Sequence, residues 1–167
     1  MCSSDLISDD VATRLETVGR RNAVGPMATA TAGNLAAWAL ALEKFGSLSL
    51  DDVIEPAVRH ASRGFVASGY LSECTSEASA DLSRDPVIAA LYLPGGAPIQ
   101  AGQRVVQSDY AKTLRTIQID GPSALYGGAI GQAVADYMAD NDGLLTMADF
   151  AGYEPIEREP IRGRYLD

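Results

Sequence analysis

The sequence predicts a mainly α chain: short helices joined by Gly/Pro turns, with one extended segment at the end. Three observations predict it. Apolar residues recur at three- and four-residue spacing in one segment after another. Gly25-Pro26, Pro94-Gly95-Gly96 and Gly121-Pro122 punctuate those segments as turns. Pro155 and Pro160 exclude a helix interior only near the end of the sequence, where the chain must run extended.

Composition narrows the function classes. The chain has 167 residues, 47% hydrophobic and 21% charged, which is ordinary for a globular domain with its own core. Twenty-two acidic against 13 basic side chains leave a net charge of −9. Nucleic acid and anionic membrane both need clustered Lys and Arg, so neither is expected as a partner. There is no run of about 18 apolar residues of the kind that spans a membrane. Cys2 and Cys74 lie far apart without metal spacing, so no disulfide framework is expected, and Cys74 reads as a free thiol on a helix.

Residues 1–6, MCSSDL, resemble one reading frame of a sequencing-library adapter and are set aside as an assembly scar. On that expectation the reading frame opens mid-gene and carries no information on compartment. Residues 8–19 pattern as a short helix, with Val11, Leu15 and Val18 on one face. Small residues follow at 29–34 and let backbones approach closely. A helix then runs to about Phe45, with Leu35, Trp38, Leu42 and Phe45 at helical spacing and Gly46 as its stop. Trp38, the sole tryptophan, is expected to anchor the core.

The next helix is the best defined. Ser49 is its N-cap, Asp51 and Asp52 fill its first turn, Arg59 and Arg63 its last, and Gly64 ends it. Leu50, Val53, Ile54, Ala57, Val58 and Ala61 form its apolar stripe, and Pro56 inside it predicts a kink. His60, the sole histidine, falls on the polar side. A Ser-His-Asp or Cys-His site would have to be built on it alone, and a histidine-rich metal site cannot be built.

Residues 68–82 read as one polar helix carrying Glu73, Glu77 and Asp81, a solvated row without the loop pattern of a calcium site. Asp85 caps a short helix that has Pro86 at its first position. Residues 97–104 read as a loop, and Pro94-Gly95-Gly96 lacks the Gly-Lys-Ser/Thr ending of a phosphate loop. Helices resume from Ser108 (Tyr110, Leu114, Ile117), over 123–126, and from Ala129 (Ile130, Val134, Tyr137, Met138). Thr146 and Asp149 make a capping box for a last helix. Ile156 and Ile161 are five apart, so a regular strand would put them on opposite faces. Nothing earlier in the sequence reads as its sheet partner.

Six segments, in order, resemble the large-subunit region of γ-glutamyltranspeptidases. They are AWALALEKFG within 36–46, DVIEPAVRHASRGF at 52–65, LPGG within 90–96 with GQRVVQ at 102–107, LRTIQIDGPSALYGGAI at 114–130, GLLTMADFAGY at 143–153 and EREPIRGRY at 157–165. The similarity runs from about Asn22 to Asp167. It implies a mainly α fragment, a short-helix orthogonal bundle forming the large-subunit helical lobe of a four-layer αββα N-terminal-nucleophile hydrolase, with a terminal strand near 153–165. The implied divisions are 1–6 scar, 7–28 partial N-terminal segment, 29–152 helical lobe and 153–167 the start of a strand of the catalytic core.

In such enzymes a precursor cleaves itself, and the freed N-terminal threonine of the small subunit is the nucleophile, with its own amino group as base. The resemblance therefore implies no catalytic, substrate-binding or metal-ligating residue in this chain and no cofactor. The threonine is expected beyond residue 167, and the arginine that grips the substrate carboxylate upstream. Thr29, Thr31 and Thr146 are internal and are not that nucleophile; Arg14, Arg20 and Arg21 lack the arginine's motif context. The implied partners are the remainder of the same precursor, as the small subunit after self-cleavage, and a small γ-glutamyl substrate of the glutathione type. The chain alone is expected to be inactive. Periplasmic or secreted location is common in the family, and no compartment is assigned.

One departure bears on substrate. Where the family has a Val-Pro-Gly turn, this chain reads Val24-Gly25-Pro26-Met27 and continues through small residues to Gly33. Relatives of the same architecture include cephalosporin acylase-like enzymes, so an amide hydrolase with a different acyl group is the alternative. A free-standing helical binding module is the competing class.

Overall fold

The computed structural model describes residues 21–165. The readings for residues 1–6 and 8–19, and for Arg14 and Arg20, lie outside the described residues. A 3-10 turn at Pro26–Ala28 leads into α1 (Asn34–Phe45) and α2 (Leu50–Arg63). Then come β1 (Phe65–Val66), α3 (Gly69–Glu77), α4 (Ser79–Leu82), α5 (Pro86–Tyr92) and a 3-10 turn at Pro94–Gly96. β2 (Arg104–Val105), α6 (Ser108–Asp120), α7 (Ser123–Tyr126), α8 (Ala129–Asp140) and α9 (Met147–Ala151) complete the described elements.

The centre is the packing of α2 on α6. Val58 and Ala61 of α2 meet Ala111 and Leu114 of α6, with Ile54 against them. The Ser49 hydroxyl accepts from Asp52 N–H at 3.1 Å while Asp52 accepts from Ser49 N–H at 3.2 Å, so two of the free donors at the start of α2 are satisfied. The Ser49 hydroxyl also donates to Asp52 Oδ2 at 2.6 Å, and that bond, followed by the one from Ser49 N–H, holds the Asp52 carboxyl below its usual range. α2 runs through Pro56 as one helix. On α6 the buried stripe is Ala111 and Leu114, one residue round from the expected Tyr110–Leu114–Ile117 row, and Tyr110 is exposed.

A second cluster gathers Ala67, Ile99 and Val105, with Phe65, Leu71, Leu91 and Tyr92 against it. It contains a sheet that the sequence reading did not foresee. β1 and β2 pair antiparallel, Phe65 opposite Val105 and Val66 opposite Arg104. Two residues per strand are too few to show an alternating pattern. Gly64 makes the pairing possible: its φ is 79° and a Cβ there would lie 2.6 Å from the Val105 carbonyl oxygen. Arg104 also donates to the carbonyls of Arg63 and Gly64, each at 3.2 Å. The LPGG turn reverses the chain so that Ile99 N–H donates to Tyr92 O at 3.0 Å and enters this cluster.

The expected single helix over 68–82 is two. Ser68 caps α3 by accepting from Leu71 N–H at 3.1 Å, and Ala78, at φ −87° and ψ 3°, separates α3 from α4. α7, α8 and α9 form the third group, burying Ala124, Met138 and Phe150.

Two expectations need correction. Trp38 is not a core anchor: it is 62% exposed, and no residue of α1 is fully buried. The terminal segment 153–165 is not a strand among the described residues; after Tyr153 N–H donates to Phe150 O, it enters no ladder. Ile156 and Ile161 are both exposed, so neither face of that segment is covered by the described chain.

Candidate functional site

The residues weighed as catalysts are scattered over separate elements. His60 is exposed in the last turn of α2. Thr146 is committed to capping: its N–H and its hydroxyl both donate to Asp149 Oδ2, at 2.8 and 2.7 Å. That contact holds the Asp149 carboxyl below its usual range, the hydroxyl contributing most. Thr29 and Thr31 lie between the first 3-10 turn and α1. Cys74 is half-buried on α3, one turn after Tyr70, whose phenol it pushes up in pKa through a hydrogen bond. Glu73 and Glu77 are exposed on α3, whereas Asp81 sits on α4 and pairs with Arg84 at 3.4 Å. Among the described residues no group of three His, Cys, Asp or Glu side chains converges on a point.

A groove of about 650 Å³ lies between α5 and the start of α6. Pro86, Val87, Ala90 and Tyr110 line it, and its carboxylate, Asp109, is paired to Lys112 at 2.8 Å. Ser108 lines it as well, with no histidine, cysteine or lysine in the lining beside it.

What the fold does build is a joint. Tyr126, at the end of α7, donates its hydroxyl to Ala32 O at 2.6 Å and accepts from Ala36 N–H at 3.1 Å. That second bond satisfies a first-turn donor of α1, which has no side-chain cap. The Tyr126 ring stacks on Tyr153, centroids 5.5 Å apart and planes 17° apart. Tyr153 lies over Gly33 so closely that a Cβ there would meet its hydroxyl at 2.0 Å. Lys44 of α1 pairs with Glu157. A groove of about 330 Å³ between α1 and this segment is lined by Leu40, Phe45, Pro155 and Ile156.

One joint thus ties together the loop before α1, the LYGG turn and the residues leaving α9. The close approach at Gly33 was legible in the run of small residues at 29–34. The role of Tyr126 was not, because a tyrosine before two glycines carries no local signal of a partner 94 positions away in sequence.

Fold and motif order now point to one class of protein, the γ-glutamyltranspeptidases. A sequence model described as Gamma-glutamyltranspeptidase matches residues 8–167, and the chain belongs to the γ-glutamyltranspeptidase family. It is 50% identical over 161 residues to the Acylase ACY 1 proenzyme of Pseudomonas sp. (strain SE83), covering 96% of this chain and 29% of that protein. It is 33% identical over 147 residues to the glutathione hydrolase proenzyme of Escherichia coli (strain K12), covering 87% and 25%. The crystal structure of Helicobacter pylori γ-glutamyltranspeptidase superposes with a TM-score of 0.85 at 29% identity, over 89% of this chain and 43% of that one. The chain spans under a third of the length of these two curated relatives.

Proposed function

We propose that this chain is the helical lobe of a self-cleaving proenzyme that hydrolyses or transfers an acyl group from an amide. In this reading residues 29–152 are scaffold, and 153–167 carry the chain into a catalytic core built by the rest of the polypeptide. A threonine freed by self-cleavage is the nucleophile, and its own α-amino group takes the proton from its hydroxyl. Preorganised donors stabilise the oxyanion formed at the acyl carbonyl. In this reading residues 21–165 supply neither; Ser49, Asp85 and Thr146 serve helix caps and Tyr126 the joint.

The observation that carries the substrate reading is the difference between 50% identity to an acylase proenzyme and 33% to a glutathione hydrolase proenzyme over almost the same residues. We take the acyl group to be other than γ-glutamyl. The second reading, γ-glutamyl transfer or hydrolysis of glutathione-type substrates, is favoured by the family match itself. The polypeptide encoded by the whole gene is assayed on γ-glutamyl anilide and on a panel of simple and dicarboxylic monoacyl anilides. Faster turnover of a non-glutamyl anilide supports the acylase reading, and preference for γ-glutamyl anilide overturns it. The 167-residue chain alone should be blank on all of them; turnover above background would contradict a purely scaffolding role.

A further inference from the structure

β2 has an open edge. Its pairing with β1 turns the main chain of Val105 toward Phe65 and that of Gln103 toward Ala67, whose N–H donates to Gln103 O at 2.8 Å. On the same side Gln107 N–H donates to Ala61 O at 2.9 Å. Main-chain groups alternate sides along a strand, so those of Arg104 and Val106 face away from β1. Among the described residues no turn, loop or cap supplies a backbone partner for either. The edge runs along an apolar trough. The groove between α5 and α6 and a second of about 470 Å³, lined by Arg104, Val105 and Val106, share Ala90, Leu91 and Val106 and so form one channel. Val87 is 75% exposed there, Tyr110 55% and Val106 41%. An unpaired strand edge beside apolar side chains accepts an added strand: backbone bonds give affinity, and pockets for alternate side chains give specificity.

We infer that the open edge of β2 and the trough beside it take an extended segment of a separate protein, with apolar residues at alternate positions and an acidic residue in the same row. Charge complementarity selects this occupant. Asp109 in the lining is paired to Lys112. Arg104 spends Nη1 on the carbonyls of Arg63 and Gly64, and no carboxylate among the described residues pairs with it. It is therefore the one uncompensated charge of the trough. Arg104 and Val106 are two apart and lie on one face of β2, so the acidic residue belongs in the partner's apolar row. A second copy would bring its own Arg104 to the same short sheet, and two chains of net charge −9 repel each other. The segment leaving α9 runs beside α1 and lines neither groove. The inference goes beyond the acyl-transfer reading and does not depend on it.

The test uses the polypeptide encoded by the whole gene and a fluorescent peptide, Thr-Val-Thr-Val-Thr-Glu-Thr, with binding read by anisotropy. The expected result is saturable binding that weakens several-fold when lysine replaces the glutamate. Val87→Lys, which puts a charge into the trough, should weaken it several-fold as well. Val87 is exposed, so that variant keeps the lobe's core. Two further peptides are N-methylated on alternate residues, one along each edge of the strand. Only the version methylated on the edge that meets β2 should lose affinity, by about tenfold. Equal behaviour of the two methylated peptides, equal binding of the lysine peptide, or a dimer of the parent that Val87→Lys disperses overturns the inference. Absence of binding overturns it too, and is the result expected where residues beyond 167 already fill the edge.

Discussion

Tyr126 and Tyr153 stack with ring centroids 5.5 Å apart and planes 17° apart, and the Tyr126 hydroxyl joins both Ala32 and Ala36. Through this pair the lobe holds α1 and the segment leaving α9 in one place. α1 has no fully buried residue of its own, so the joint carries much of its attachment.

Tyr126→Phe keeps the stack and removes both hydroxyl bonds. The loss in unfolding free energy should be about 1–2 kcal/mol, chiefly the cost of leaving the part-buried Ala36 N–H without a partner. Denaturant unfolding of the chain measures it. No change in midpoint would mean that water replaces the hydroxyl and that the joint is only a ring contact.

Gly131 and Gly33 should respond differently to alanine. A Cβ at Gly131 would lie 2.1 Å from the Leu125 carbonyl oxygen, a backbone atom with little room to move. Alanine favours a helix by up to about 1 kcal/mol, but crowding costs about 1–3 kcal/mol and should win, loosening α8 from α7. At Gly33 the obstacle is the Tyr153 hydroxyl, the tip of a side chain. The Gly33→Ala cost should therefore shrink when Tyr153→Ala is also present. A double-mutant cycle checks this, and additive losses would show that the crowding lies elsewhere.

Asp85 gives the lobe an acid-sensitive link. The Ile88 N–H holds its carboxyl below the usual range most strongly; burial opposes this, and the Val87 N–H and the Tyr137 hydroxyl add to it. A carboxyl depressed in the folded state contributes stability that is present above its unfolded pKa of about 3.9. That contribution is lost as pH falls through the folded value. Tyr137 is shifted up, chiefly by its hydrogen bond to Asp85 at 3.1 Å. Its share is present below about pH 10, the usual phenol value, and is lost as pH rises through the folded one. Asp85→Asn keeps an N-cap acceptor and removes the titration, so its melting temperature should fall less than the parent's between about pH 5 and pH 2. Asp85→Ala should cost about 1 kcal/mol at neutral pH. Parallel pH profiles for parent and Asp85→Asn would exclude Asp85 as the source.

Much of the lobe was legible because its signals are local. Ser49, Gly64, Asp85, Gly121 and Thr146 mark helix ends through hydrogen bonds or backbone angles set within a few residues. The structure begins or ends α2, α5, α6 and α9 at these residues. The β1–β2 pair was missed because its register depends on Gly64 meeting Val105, about forty residues on, and each strand is shorter than one full alternation. Trp38 was misplaced for a related reason. Helical spacing says that one face of α1 is apolar but not which body covers it, and the described chain covers little of it. The tyrosine joint was half legible: the small residues announced a close approach, and nothing local named Tyr126 as the other side.

The central claim is that this lobe serves a proenzyme that makes its own nucleophile. Mass analysis and N-terminal sequencing of the purified polypeptide encoded by the whole gene test it most directly. The account predicts two associated chains, the larger containing residues 29–165 and the smaller beginning with threonine, and no cleavage when that threonine is changed to alanine. A single uncut chain that nevertheless turns over amides, or a small chain with any other N-terminal residue, would contradict it.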